Sequence, residues 1–213
     1  MPRGRYSLHD PYDGAPLGEE HFHCAPGAAG WRYTAQVTSP SSEGEGGGEH
    51  AGSIDLTIDH LGRPIRLELH ASGWQVRGAA IDGVTWVRSD PAGAEAHEGN
   101  APAHAFTGQS PAFLVATARL LGLRPGGEGK RVRLVALTPP VLAPRTVEQA
   151  WLLRDTVVHE TDSGPLTVEN YEVRDLEAGE AHEVHIAGDV VLSAPGVELE
   201  TLESPPSVFA EQG

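Results

Sequence analysis

Apolar and polar residues alternate with a period of two along much of this chain. Ile54, Leu56 and Ile58 fall on one side of an extended segment, and Ser53, Asp55, Thr57 and Asp59 fall on the other. That spacing predicts a strand with one buried and one solvated face. After a turn at residues 60–63, Ile65, Leu67 and Leu69 alternate with Arg66, Glu68 and His70, and Ser72-Gly73 leads into Trp74-Gln75-Val76-Arg77. Asp82-Gly83 is a two-residue hairpin signal because both positions tolerate positive φ, and Val84-Thr85-Trp86-Val87 follows it. Four consecutive antiparallel strands result. The same reasoning predicts strands over Glu20–Cys24, Gly30–Thr38, Lys130–Thr138, Thr146–His159, Pro165–Arg174, Ala181–Ala187, Val190–Ala194 and Val197–Leu202. The separators carry glycine, as at Arg124–Gly129, Asp162–Gly164, Ala178-Gly179 and Ala187–Asp189. About a dozen strands on short connections predict a mainly β (α+β) fold, one large curved antiparallel sheet forming a half or open barrel.

One segment reads as a helix, Ser110 to Leu121, with Ser110 as N-cap, Pro111 in the first turn and Gly122 just past the end. Ala112, Phe113, Leu114, Val115, Ala116, Ala118, Leu120 and Leu121 make it apolar on every side, so it is expected inside the concavity of the sheet. Ser39–Gly52 and Ser89–His104 read as flexible loops. The expected organisation is an N-terminal extension over 1–17, one domain over 18–203 and a flexible tail over 204–213.

Composition narrows the function more than the fold. A chain of 213 residues is ordinary for one β-rich domain. Its formal charge of −15 disfavours nucleic acid and polybasic docking to anionic membranes. Lys130 is the only lysine among 15 basic residues, so the cations are guanidiniums suited to planar, bidentate contacts. Gly 26 and Pro 17 are enough for many turns without reaching low complexity. With Cys24 alone there is no intrachain disulfide, and no stretch approaches the roughly 20 apolar residues of a membrane span. A cytoplasmic location is the expectation.

The chemical motifs are weak. His21 and His23 share a strand face, but Phe22 and Cys24 take the inner one; His182 and His185 fall on opposite faces, so no metal is assigned. Thr107–Ala112 lacks the second glycine of a nucleophile elbow, and its serine suits a helix cap. Gly126–Arg131 lacks the hydroxyl residue and following helix of a phosphate loop. Cys24 reads as a small buried hydrophobe, and Glu198 and Glu200 as a solvated strand face. No catalytic residue and no cofactor are assigned.

Gly30-Trp31-Arg32-Tyr33, the Gly62-Arg63-Pro64 hairpin, Gly73-Trp74-Gln75-Val76 and Phe106–Pro111 before the apolar helix, taken in order, resemble the bacterial glycolipid-binding family. Val132–Leu137, Pro140-Val141-Leu142, Val147–Trp151, Asp189–Leu192 and Ala194–Val197 continue that order, so the resemblance spans roughly residues 18 to 203. It implies a half-barrel like that of the lipoprotein localisation factors, binding a lipid or glycolipid without catalysis. On that reading Trp31, Trp74, Trp86, Phe106, Phe113 and Trp151 line the concavity and Arg77 meets a headgroup. Two alternatives stay open. One is a filled barrel acting as an interaction or homodimerisation module; the other is an enzyme with an acid or base such as His104 at the mouth.

Overall fold

The computed structural model describes residues 1–27, 30–40, 50–162 and 164–207. The alternating segments form β1 (Arg3–His9), β2 (Pro16–Gly27), β3 (Gly30–Thr38), β4 (His50–Asp59), β5 (Pro64–Ala71), β6 (Trp74–Ala80), β7 (Val84–Ser89) and β8 (Ala96–Ala101). Then come β9 (Ala105–Gly108), α1 (Ala112–Leu121), β10 (Lys130–Thr138), β11 (Ala143–Thr161), β12 (Gly164–Asp175), β13 (Ala181–Ala187), β14 (Val190–Ala194) and β15 (Val197–Leu202). All 15 strands belong to one curved sheet, ordered β8-β7-β6-β5-β4-β3-β2-β1-β15-β14-β13-β12-β11-β10-β9.

That order follows the chain except at the β1–β15 junction. β1 pairs with both β2 and β15, bringing Gly4 opposite Leu202. The edge strands β8 and β9 are consecutive in sequence, joined by residues 102–104, yet they do not form a ladder. The sheet is therefore open, with a seam between β8 and β9. β9 and β10 are the parallel pair, and α1 supplies the crossover between them. Across the seam the flanks meet through side chains: a Cβ on Gly78 of β6 would lie 2.6 Å from Phe106 Cζ. Arg88 Nε donates to the carbonyl of Val141 at 2.8 Å.

The inner face carries the core, with Tyr6, Phe22, Trp31, Tyr33, Leu56, Leu67, Leu134, Trp151 and Tyr171 fully buried against α1. The helix has little wet surface, as its all-round apolarity predicts, and polar groups tie down its ends. Gly122 closes the C-terminus in the left-handed conformation, its N–H donating to Ala118 O at 3.1 Å. Lys130 Nζ donates to Leu121 O at 2.6 Å. Arg119 reaches the Glu169 carboxylate and the Gly188 carbonyl. The β4–β5 turn lies against the last helical turn, where a Cβ on Gly62 would sit 2.3 Å from Leu120 N.

Several expectations need correcting. Residues 3–9, read as part of an extension, form a strand at the middle of the sheet. Residues 89–104, read as a loop, contain β8. Ser110 Oγ accepts from Ala112 N–H at 3.3 Å at the start of the helix, as a cap would, and in addition donates to the buried Glu20 carboxyl. Most of the loop expected over Ser39–Gly52 lies outside the described residues, but His50–Gly52 already belong to β4. The tail's residues 208–213 also lie outside them. Its earlier part follows the body, with Ser204 Oγ donating to Met1 O at 3.1 Å and Ser207 N–H to Asp189 Oδ1 at 2.7 Å.

Candidate functional site

Two parts of the inner face carry chemistry, one deep and one shallow. The deep part follows from strand parity. On β2, Glu20 falls in the same inward row as Phe22 and Cys24, so a carboxyl group enters an apolar layer and is fully buried. Its Oε1 accepts from the Tyr33 hydroxyl at 2.6 Å and from Ser110 Oγ at 2.8 Å. Its Oε2 is buried without a hydrogen-bond partner among the described residues. Burial pushes the Glu20 pKa up to about 7 against the opposing pull of these two donors.

Aromatic rings wall this carboxyl. Tyr6 stacks on Phe22 with centroids 4.7 Å apart, and Phe22 stacks on Tyr33 at 5.7 Å. The Tyr6 oxygen accepts from Val191 N–H at 3.1 Å. Beyond it the Cys24 thiol donates to the Asp189 carbonyl at 3.6 Å, and Trp31 Nε1 donates to Asp189 Oδ2 at 3.3 Å. Burial raises the pKa of Cys24 far above the thiol range, leaving no thiolate nucleophile near neutrality, and raises that of Asp189 as well.

The shallow part lies toward the β8 edge. Trp74 on β6 and Trp86 and Arg88 on β7 share the inward parity of Val76 and Val84, and all three are half-buried. Both indoles pack against the core and remain partly exposed. The Arg88 guanidinium stacks 3.5 Å above the Trp74 ring. Trp86 lies flat over β8 because Gly99 has no side chain: a Cβ there would be 2.4 Å from Trp86 Cζ2.

The aromatic residues singled out from the sequence thus divide into two groups. Trp31, Phe106, Phe113 and Trp151 are fully buried, and Trp151 meets Tyr171 edge-on at 5.6 Å. Together with α1 they fill the deep concavity. Trp74 and Trp86 form the half-open shelf. Arg77 is on the outer face, where it pairs with Glu68 at 3.2 Å in a cross-strand chain that also joins Arg66 to Asp55 and Arg32 to Asp55. Its arginine neighbours, Arg66 first, hold the Glu68 pKa down to about 2. His104 is exposed and pinned to β10 by Arg133 N–H at 3.1 Å. Glu20, Tyr33 and Arg88 were missed, although the parity of Glu20 with Phe22 and of Arg88 with Trp86 was there to be read.

Depressions also occur away from these two parts. One, of about 400 Å³, includes His50 and His70; the other, of about 530 Å³, lies over β1–β3 and includes Arg3, His21, His23 and Glu203. Neither touches Glu20 or Trp86. Among the described residues no three His, Cys, Asp or Glu side chains are grouped to hold a metal, and no helix is long and apolar enough to cross a membrane.

No family model and no curated protein matches the chain. Among solved structures it is similar to the crystal structure of a DUF1089 family protein from Pseudomonas aeruginosa, with TM-score 0.57 and 17% identity over 85% of this chain and 92% of that one. The likeness is one of fold, and it extends over nearly the whole sheet. No family match stands behind the glycolipid-binding resemblance.

Proposed function

We propose that the protein binds a lipid-like amphiphile without catalysis, on the shelf formed by Trp74, Trp86 and Arg88. The half-open pair of tryptophans on an otherwise filled inner face carries this reading. Indole faces stack on apolar chains and on the C–H faces of sugar rings, and the adjacent guanidinium supplies a polar contact for a headgroup. The deep concavity is occupied by Phe106, Phe113, Trp151 and α1, so the ligand is placed at the flank instead of under the helix. The buried Cys24 thiol is held protonated, so it offers no thiolate nucleophile near neutrality.

Tryptophan emission titrated with monomeric octyl glucoside tests the idea, alongside mass spectrometry of solvent extracts of the purified protein. Saturable binding weakened at least tenfold in Trp86→Ala is the expected result. An unaltered titration in that variant, or no binding by the parent protein, removes the proposal.

A second reading rests on the β11–β12 ribbon. Beyond Leu153 and before Glu169 these strands form ladders only with each other among the described residues, with Val157 39% and Val158 57% exposed. A homodimer joined through this ribbon would show by light scattering as a mass that rises with concentration and stays monomeric in Val158→Lys.

A further inference from the structure

The Glu20 carboxyl has no role in the shelf, and its surroundings are unusual for a carboxyl group. It is completely buried, both of its hydrogen bonds fall on one oxygen, and the other oxygen is orphaned. One of the two donors, Ser110, begins the segment that enters the helix. We propose that Glu20 is a proton-held latch: protonated, it secures the Ser110 end of α1 in the concavity, and on losing its proton it releases that end.

The physical argument concerns Oε2. A neutral carboxyl tolerates an apolar wall at moderate cost, whereas a buried carboxylate with one bare oxygen carries a much larger desolvation penalty. The groups facing it from neighbouring elements offer no compensation. β1 presents Tyr6, β2 presents Cys24 and β3 presents Tyr33, while the β13–β14 turn presents Asp189, itself acidic. The charged residue of α1, Arg119, is engaged with Glu169 and the Gly188 carbonyl. Stronger bonds from Tyr33 and Ser110 to the ionised Oε1 reduce the penalty without removing it. Water is the remaining donor for Oε2, and displacement of the Ser110 hydroxyl would admit it.

The sign follows from the two states. With α1 docked the group titrates near pH 7, and in an opened, hydrated state it titrates near the ordinary 4.5. The docked state therefore binds more protons across that interval. Its advantage is complete below about pH 4.5, falls as pH rises toward 7, and levels off above. The opening constant should increase on the order of thirtyfold between pH 5.5 and pH 8.5, most of it below pH 7.5. Asp189 is shifted in the same direction, so the comparison must isolate Glu20.

Hydrogen exchange of the α1 amides, corrected for intrinsic rates, tests this in the full chain and in Glu20→Gln, which keeps an acceptor for Tyr33 and Ser110 but cannot ionise. Helix protection that falls with pH in the parent chain and stays level in Glu20→Gln supports the latch. Equal slopes in both overturn it. If Glu20→Gln does not fold, carbon-13 titration of the Glu20 carboxyl in the parent chain decides. A midpoint near 7 accompanied by shifts of the α1 amides supports the latch, and a midpoint near 4.5 overturns it.

Discussion

At the level of single residues, a recurring device is an inner-face glycine with an aromatic ring laid over it. Trp86 covers Gly99, Phe106 covers Gly78, and Phe22 approaches the Cβ position of Gly4 at 3.0 Å. The ring supplies the apolar surface that the glycine lacks and brings the strands into close contact. The cost of adding a methyl group then depends on whether the ring can move. Gly99→Ala would press on Trp86, which is half-open and can lift, so stability should change by less than about 1 kcal/mol while Trp86 emission shifts to the red. Gly78→Ala would press on the fully buried Phe106 and also come within 2.6 Å of Thr85 O. It should cost about 1–3 kcal/mol. Denaturant titrations of the two variants check this difference; equal losses would mean that Trp86 is as fixed as Phe106.

At the level of elements, the same glycines explain what the sequence hid. The meander from β4 to β7 was legible because Ile54, Leu56, Ile58, Leu67 and Leu69 keep strict alternation. β1 escaped notice because its inward row reads Gly4, Tyr6, Leu8, and β8 because its row reads His97, Gly99, Ala101, with the apolar mass contributed by rings on neighbouring strands. β9 is four residues long, too short for any period to register. Both parts of the candidate site were hard to read for a related reason: polar residues at inward positions, Glu20 in the deep part and Arg88 in the shallow one, look like interruptions until the partners Tyr33, Ser110 and Trp74 are placed beside them. The helix was legible from its apolarity, but its anchors were not. Lys130→Met removes the charged donor from the Leu121 carbonyl at the C-terminus and should cost about 1 kcal/mol in thermal or denaturant unfolding. Gly62→Ala should cost more than this. Its φ of +79° already strains any other residue, and the new Cβ would meet helix backbone that has no rotamer to change.

At the level of the whole molecule, the sheet is an open run of chain neighbours whose two halves are joined by the pairing of β1 with β15. Every antiparallel pair is local in sequence except β1 with β15, which sets Gly4 against Leu202 and so requires nearly the full chain to close. Loop closure on that scale is an entropic cost that must be met before its contacts form, and it slows folding when it belongs to the transition state. The covalent link between the sheet edges, residues 102–104, spans strands that share no ladder. A circular permutant tests which connection matters. Joining Ser204 to Met1 with a short Gly-Ser linker in place of residues 205–213 is feasible because Ser204 Oγ lies 3.1 Å from Met1 O. New ends at residues 102–104 would then turn β15–β1 into a local hairpin and leave every other antiparallel connection intact. The permutant should fold to the same far-ultraviolet spectrum and refold on the order of tenfold faster in stopped-flow measurements. An unchanged rate would place the β1–β15 pairing after the barrier. Loss of the α1 amide protection would show instead that the seam connection, through β9, holds the helix in the concavity.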